Sequence, residues 1–254
     1  AGHPCDWKAL REIADKYGFQ LVNDNCHALG AAYINDKQYA VKYADIVIQS
    51  YHPVKHLTTG EGGAILTNNS DIDEKIRRLR THGMTKKIDL LEKNDGPWYY
   101  EMHDLGYNYR ITDFQCALGS SQLKKLDKFI CKRREIAKKY DETFSNIDAF
   151  IVPDPHDLVE HAYHLYPIQI NFKKIIITKL DLFKKMKDLN INLQVHYIPV
   201  HLQPFYRKKF GFNVDDFPVS ERFYQNEISL PIYPDLSIEK ISWVIKNILK
   251  SISK

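Results

Sequence analysis

The chain has 254 residues, of which 44% are hydrophobic and 27% are charged, and its formal net charge is +4 at pH 7. This composition is typical of a globular protein with one large domain or two modest ones. Lysines alternate with acidic residues along the predicted helices, which excludes an extended basic surface for nucleic acid. No apolar run is long enough to span a bilayer.

The four cysteines, Cys5, Cys26, Cys116 and Cys131, match neither a Cys-x-x-Cys nor a Cys/His metal spacing. We therefore expect no metal centre and four free thiols, as in a reducing compartment. The start at Ala1 lacks the features of a signal peptide. These features predict a cytoplasmic protein.

The first predicted helix follows Asp6, a typical N-cap residue. Apolar residues recur every three or four positions from Trp7 to Tyr17, and Gly18 is a typical helix end. Residues 19–23 predict a strand that delivers Asp24. This helix–strand order favours an α/β fold with a parallel sheet.

A glycine-rich loop, residues 50–63, contains Lys55 and separates two predicted buried strands of one sheet, residues 46–48 and 64–66. Loops at strand ends often carry the functional residues of α/β proteins. A lysine can bind an aldehyde covalently, and a carboxylate such as Asp24 can pair with the ring nitrogen of pyridoxal phosphate. From the residues alone, a solvated lysine and a capping or turn aspartate stay open as alternatives.

Beyond this loop, Ser70 and Asp73 resemble a capping box for a helix with an apolar face. Residues 84–102 are polar and aperiodic, which predicts a mobile loop. Thr112 and Gln115 begin the longest helical pattern, which we expect to kink or break between residues 126 and 130. The apolar face of the helix that follows Ser70 is formed by Ile72, Ile76 and Leu79.

After Pro153 the pattern changes to an α+β arrangement. Residues 165–170 and 191–197 alternate as half-buried strands, and Thr178 opens the helix between them. Two further helices are predicted, at residues 220–227 and 237–249.

Segments along essentially the whole chain resemble, in order, the motifs of the DegT/DnrJ/EryC1/StrS sugar aminotransferases. The resemblance implies an α/β fold: the large domain of a PLP-dependent transferase of fold type I, aspartate aminotransferase-like and partial, followed by a smaller α+β domain. The segments that carry it are Asp24-Asn25-Cys26-His27-Ala28-Leu29-Gly30-Ala31, residues 50–63, Arg80-Thr81-His82-Gly83, Gly106-Tyr107-Asn108-Tyr109-Arg110, residues 115–123, His164-Leu165-Tyr166-Pro167, residues 195–201 and Glu227-Ile228-Ser229-Leu230-Pro231.

The resemblance assigns the catalytic role to Lys55, which would bind the aldehyde of pyridoxal 5'-phosphate and move the proton during amino transfer. Asp24 would hold the ring nitrogen protonated, His27 would contact the phenolic oxygen, and Ser50 would bind the phosphate. Asn108 would reach the phosphate of a neighbouring subunit, which implies a homodimer with shared active sites. As single residues, these positions are more typical of capping, backbone-bonded or turn roles.

His196 and Tyr197 match a loop that faces the sugar nucleotide, although as lone residues they would be strand-end surface groups. The implied reaction moves an amino group from glutamate to a 4-keto nucleotide sugar. Within the family, the likeness is greatest to the aminotransferases of pseudaminic acid biosynthesis, which act on a UDP-linked sugar. Lys55 favours transamination over the related dehydratases, in which histidine replaces this lysine.

The resemblance further implies that residues 1–135 form a partial PLP-binding large domain and residues 136–254 a small C-terminal domain. Relative to the family, we expect the N-terminal portion that supplies early strands and part of the phosphate cradle to be absent. A truncated, non-catalytic fragment of such an enzyme is therefore the alternative to an active aminotransferase, with a PLP-dependent sugar dehydratase as a third interpretation.

Overall fold

The computed structural model describes residues 1–252. The chain forms two compact units, an N-terminal unit of residues 4–126 and a C-terminal unit in which residues 127–252 are joined by residues 1–3. Within the described residues, no helix combines the length and the apolar character that crossing a membrane requires. All four cysteines are free thiols, as predicted.

The N-terminal unit is built on a three-stranded sheet. Its helices are α1 (Trp7–Tyr17), α2 (Tyr39–Tyr43), α3 (Ser70–Leu79) and α4 (Asp113–Leu123), and its strands are β1 (Val22–Asp24), β2 (Ala32–Tyr33), β3 (Ile46–Ser50), β4 (Gly63–Leu66), β5 (Met84–Thr85) and β6 (Glu101–Met102). Strand β1 pairs in parallel with β3, and β3 pairs antiparallel with β4. The predicted strands on either side of the glycine-rich loop therefore belong to one sheet.

Helix α1 begins and ends as the sequence predicts. The Asp6 carboxylate accepts a hydrogen bond from the Ala9 backbone N–H, which satisfies one of the amides left without a partner at a helix start. Gly18 ends the helix at φ +71°, a left-handed conformation that glycine adopts without a Cβ clash. The strand after it is shorter than predicted and starts at Val22.

Two details of the N-terminal unit differ from the predictions. Helix α3 is capped by Asn69, whose side chain accepts from the N–H groups of Asp71 and Ile72, so Ser70 already lies inside the helix. The apolar face of α3 is only partly buried, and β4 is not a buried strand, because Ile65 is 48% exposed.

The segment 84–102 is not a loop throughout, as predicted, because its two ends pair as short strands, and its mobility stays a prediction. Strands β5 and β6 pair antiparallel, and residues 88–90 form a short 3-10 helix between them. The Glu101 carboxylate accepts hydrogen bonds from the backbone N–H groups of Glu92 and Lys93. These contacts join positions eight and nine residues apart, and side-chain periodicity carries no signal for them.

The C-terminal unit packs helices on a second, antiparallel sheet of order β10-β9-β7. Its helices are α5 (Leu126–Phe144), α6 (Lys179–Asp188), α7 (Pro204–Phe210), α8 (Pro218–Asn226) and α9 (Ile238–Ile252), and its strands are β7 (Phe150–Ile151), β8 (Val159–Glu160), β9 (Tyr166–Ile170) and β10 (Glu227–Leu230). Buried side chains of α5, α6 and α9 form one core with β9 and β10, and each large apolar side chain buried there stabilises the fold by about 1.5–3 kcal/mol.

The longest helical pattern breaks into two helices. Helix α4 begins with the predicted capping box of Thr112 and Gln115, and it ends at Leu123, three residues before α5 begins. The break therefore falls just before the predicted interval of residues 126–130. The predicted strand at 191–197 is wrong, because only Gln194 forms a backbone bridge, to Ser229, although Ile191 and Leu193 are buried.

Candidate active site

Strand pairing places Asp24 beside the glycine-rich loop. Asp24, the last residue of β1, lies opposite Ile48 of β3, and the next backbone N–H, of Asn25, donates to the Ile48 carbonyl at 2.9 Å. Side chains alternate between the two faces of a strand, so Ser50, two residues after Ile48, lies on the same face of the sheet as Asp24. Buried Asn23 and Val47 occupy the opposite face.

The loop that carries Lys55 is closed by its own backbone. The Tyr51 N–H donates to the Gly62 carbonyl at 2.9 Å, and the Thr59 N–H donates to the Tyr51 carbonyl at 3.0 Å. Gly62 has φ +150°, and a Cβ there would lie 2.4 Å from Thr59 Oγ1. Glycine is therefore needed at position 62. Inside this closed loop the Lys55 N–H donates to the His52 carbonyl at 3.0 Å.

Asp24, Cys26, His27 and Lys55 form one electrostatic cluster, and Asp24 and Lys55 are brought together as predicted. The Cys26 thiol hydrogen bond, the Cys26 N–H, His27 and Lys55 hold the pKa of the Asp24 carboxyl below its ordinary value, against the opposing effect of burial. Burial lowers the pKa of the half-buried Lys55 amine, while Cys26 and Asp24 oppose that change. The cluster therefore combines an ionised carboxylate with an amine that loses its proton more easily than a surface lysine.

Cys26 belongs to this cluster, and its role is not assigned by the sequence patterns. Burial, reinforced by the Asp24 hydrogen bond and charge, raises the pKa of its thiol to about 11. The thiol lies 3.8 Å from the Ile48 carbonyl oxygen. Its proximity to Lys55 arises only when β1 and β3 pair, because 29 positions separate the two residues along the chain.

Ser50 and Asn108 occupy different parts of the N-terminal unit. Ser50 ends β3, and its Oγ accepts from the His52 N–H at 3.4 Å. Asn108 is exposed and forms a backbone bridge with Thr81. Neither contact involves a phosphate, so the phosphate-binding roles of Ser50 and Asn108 stay predictions.

His196 and Tyr197 lie in the C-terminal unit, on the segment before the 3-10 turn at Val200–Leu202. The half-buried His196 imidazole contacts the Ser229 hydroxyl, with Nδ1 and Oγ 2.7 Å apart. The Tyr197 ring is 62% exposed and packs edge-on against His196 at 4.6 Å between ring centroids. The sequence motifs did not indicate the contact with Ser229, because it joins positions 33 residues apart.

The donor set at the end of β1 and in the loop after β3 fits a pyridine ring that carries an aldehyde. Such a cofactor needs a carboxylate for its ring nitrogen and an amine for its aldehyde, and Asp24 and Lys55 supply both within electrostatic reach of each other. Together with the α/β sheet, they define the class of PLP-dependent transferases of fold type I.

Comparisons with known proteins define the family. The sequence profile of the DegT/DnrJ/EryC1/StrS aminotransferases matches residues 1–249, so the chain belongs to this family. Aminotransferases of this family use pyridoxal phosphate. The family and fold predicted from the sequence motifs are therefore confirmed.

Three similar proteins illustrate the match. MJ1066, an uncharacterised protein of Methanocaldococcus jannaschii, is 41% identical over 100% of this chain and 65% of its own length. A UDP-4-amino-4,6-dideoxy-N-acetyl-beta-L-altrosamine transaminase of Campylobacter jejuni is 36% identical over 100% of this chain and 64% of its own length. The structure of Helicobacter pylori PseC, an aminotransferase involved in the biosynthesis of pseudoaminic acid, matches with a TM-score of 0.88 and 32% identity, over 99% of this chain and 64% of PseC. The chain thus spans less than two thirds of each of these proteins.

Proposed function

We propose that this chain is part of a PLP-dependent sugar-nucleotide aminotransferase, which moves an amino group from glutamate to the 4-keto group of a UDP-linked sugar of the pseudaminic acid type. The observation that carries the proposal is that the ionised Asp24 carboxylate, at the end of β1, lies within electrostatic reach of the half-buried Lys55 amine in the loop after β3. The names of the Campylobacter and Helicobacter relatives support the choice of sugar.

In this proposal Asp24 pairs with the protonated ring nitrogen of pyridoxal phosphate, and His27 contacts the phenolic oxygen. When bound, the cofactor supplies the electron sink that makes a proton on the α-carbon of the amino donor acidic. Lys55 holds the cofactor and then carries that proton at Nζ, because its lowered pKa makes the neutral amine more accessible. The Ser50 hydroxyl donates a hydrogen bond to the cofactor phosphate.

We assign substrate binding to His196 and Tyr197, and we propose a homodimer in which Asn108 completes the site of the neighbouring subunit. We propose residues 1–135 as the cofactor-binding domain and residues 136–254 as the smaller domain, whereas the compact units of the structure divide nine residues earlier, between residues 126 and 127, and residues 1–3 belong to the C-terminal unit. A cytoplasmic location also stays a prediction, and the four free thiols support it.

A reconstitution experiment tests the cofactor site. The chain is incubated with pyridoxal phosphate, and the visible absorbance of the lysine-bound cofactor is recorded for wild type, Lys55→Ala and the control Lys86→Ala, which removes an exposed lysine of the same unit. We expect the band in wild type and the control and its loss in Lys55→Ala. An equal band in Lys55→Ala would refute the assignment of Lys55.

The same preparation separates the aminotransferase from the alternatives. With UDP-4-amino-4,6-dideoxy-N-acetyl-β-L-altrosamine and 2-oxoglutarate, the reverse reaction should form glutamate. A chain that carries the band but forms no glutamate contradicts the aminotransferase and favours a PLP-dependent sugar dehydratase or isomerase. A wild-type chain without the band supports the non-catalytic fragment.

A further inference from the structure

A fully buried carboxylate lies behind His196 in the C-terminal unit. Glu227, the first residue of β10, is 0% exposed, and a buried carboxylate is costly unless its oxygens are hydrogen-bonded. Oε1 accepts from the Ser229 hydroxyl at 2.5 Å, and Oε2 accepts from the His196 backbone N–H at 2.9 Å. Oε2 of Glu227 therefore binds His196 itself, and Oε1 binds a residue that contacts His196.

Ser229 connects the carboxylate to the imidazole. Glu227 and Ser229 are two residues apart on one strand, so their side chains lie on the same face of the sheet. Ser229 Oγ is 2.7 Å from His196 Nδ1. The reciprocal backbone hydrogen bonds of Ser229 with Gln194, at 2.8 and 3.3 Å, hold the histidine-bearing segment against β10.

The donors and acceptors determine where the histidine proton lies. A serine hydroxyl carries a single proton, and an ionised carboxylate can only accept. When Ser229 donates to Glu227, its oxygen can only accept from His196, so Nδ1 carries the hydrogen. In neutral imidazole the other nitrogen, Nε2, is then the acceptor.

Burial and the groups around Glu227 act on its ionisation in opposite directions, and the net result is a raised pKa. Burial raises the pKa of Glu227, whereas the Ser229 and His196 hydrogen bonds and the charge of Lys179 oppose that change. Lys179, at the start of α6, donates through Nζ to the Tyr224 carbonyl, and burial lowers its pKa. On the outer side, His196 faces the phenol ring of Tyr197.

We infer that Glu227 and Ser229 are positioning residues that hold His196 in its Nδ1–H form, so that Nε2 accepts a hydrogen bond from a hydroxyl or amino group of the sugar ligand. The identity of the ligand rests on the proposed function, whereas the proton position does not. The aminotransferase motifs used above give no role to Glu227 or Ser229. Their contact with His196 appears only when β10 pairs beside the 194–196 segment.

Nitrogen-15 NMR of histidine-labelled chain tests the proton position without cofactor or substrate. His196→Gln identifies the resonances of His196. In wild type we expect the Nδ1–H form at neutral pH. Ser229→Ala should move the population to the Nε2–H form that an unrestrained imidazole prefers, and Ser229→Thr, which keeps the hydroxyl, should restore the wild-type pattern. An Nε2–H form in wild type would overturn the inference, because Ser229 would then donate to Nδ1 of His196 and could not donate to Glu227.

A pH titration of the same resonances tests the charge. Glu227→Gln keeps the size of the side chain and removes its charge, so the titration midpoint of His196 should fall by about one pH unit or more. The matched control is Glu221→Gln, since Glu221 is a buried carboxylate of the same unit that contacts a different histidine, His201, at 2.9 Å. This control should leave the midpoint of His196 unchanged. Equal midpoints in wild type and Glu227→Gln would contradict an ionised Glu227.

Ligand binding completes the test, with UDP-4-amino-4,6-dideoxy-N-acetyl-β-L-altrosamine as the probe. Binding should shift the Nε2 resonance of His196, and Ser229→Ala should weaken binding about tenfold, a factor typical of one misplaced hydrogen bond. Probe binding that leaves Nε2 unshifted would refute the ligand role of His196 even if its proton position is as inferred. Absence of the cofactor band from the wild-type chain is a separate result, because it concerns Lys55 and the N-terminal unit alone.

Discussion

Cys26 can report on the charge of Asp24 and Lys55 through its rate of alkylation, because only the thiolate reacts. Its pKa is raised to about 11, from an ordinary value of 9.0, first by burial and then by the Asp24 hydrogen bond and charge. Lys55 acts in the opposite direction and lowers it. The same thiol therefore senses both members of the proposed cofactor site.

The expected rate follows from these two values. At about pH 8 the thiolate fraction is about 0.1 for a thiol of pKa 9.0 and about 0.001 for Cys26, which is about 100-fold less. Higher basicity makes each thiolate a better nucleophile by about 0.4–0.5 log units per pKa unit, so the net slowing is about tenfold. Peptide mapping by mass spectrometry after timed exposure to iodoacetamide measures this rate.

Two substitutions should change the rate in opposite directions. Asp24→Asn removes the neighbouring negative charge, lowers the pKa of Cys26 and speeds alkylation at about pH 8 by several-fold. Lys55→Met removes a positive charge at similar volume and slows alkylation. The exposed thiols Cys5 and Cys116 are internal controls, whose rates should be the same in all three chains.

The pH dependence separates charge from limited reagent access. A raised pKa makes the rate of Cys26 climb about tenfold per pH unit until pH approaches about 11, whereas poor access lowers the rate by a constant factor at every pH. If Asp24→Asn and Lys55→Met change the rate in the same direction, or leave it unaltered, Asp24 and Lys55 do not form the electrostatic cluster described here.

Three further predictions concern the fold. The pKa of Glu101 is depressed to about 2, first by its hydrogen bond from the Glu92 N–H. The stabilisation by Glu101 is therefore complete above its ordinary pKa of 4.5 and is lost as pH falls toward about 2. Glu101→Gln should speed amide exchange at Glu92 already at neutral pH, and an unchanged rate would contradict this role. Gly83→Ala should lower the free energy of unfolding by more than about 1 kcal/mol in urea denaturation, because φ is +72° and a Cβ would lie 1.8 Å from the Asp104 carbonyl oxygen. Arg133→Met should destabilise the C-terminal unit by about 3 kcal/mol or more in the same assay, because it leaves three backbone carbonyls of a buried site without their donor, and a loss below about 1 kcal/mol would show that water replaces the guanidinium.

Helix boundaries could be predicted where the residues that set them are neighbours in sequence. Asp6 and Gly18 at the two ends of α1, and Thr112 with Gln115 at the start of α4, act within one helical turn. Local capping chemistry and binary patterning were sufficient for these helix ends. Lys55 and Asp24 were singled out by the family motifs, and the structure places them within electrostatic reach of each other.

Features that depend on contacts beyond one helical turn could not be predicted. The conformation of residues 84–102 depends on Glu101, which binds backbone amides eight and nine positions away. The alternation at 191–197 resembles a strand, but its backbone pairs at a single residue, Gln194. The Glu227–Ser229–His196 contacts join segments more than 30 positions apart. In each case the missing information is which segments pack together, and no local pattern contains it.

The register of β1 against β3 decides whether the chemistry at Lys55 is possible. Asn23 pairs with Val47 on the buried face, and Asp24 pairs with Ile48 on the other. A slip of one residue would turn the Asp24 side chain to the buried face and bring Asn23 to the lysine, because the faces of a strand alternate. An amide cannot balance the charge of a pyridinium, so such a chain could hold an aldehyde at Lys55 without the charge pair that makes it an electron sink. The burial of Val47, which has no exposed surface, therefore helps to fix the register on which the proposed reaction depends.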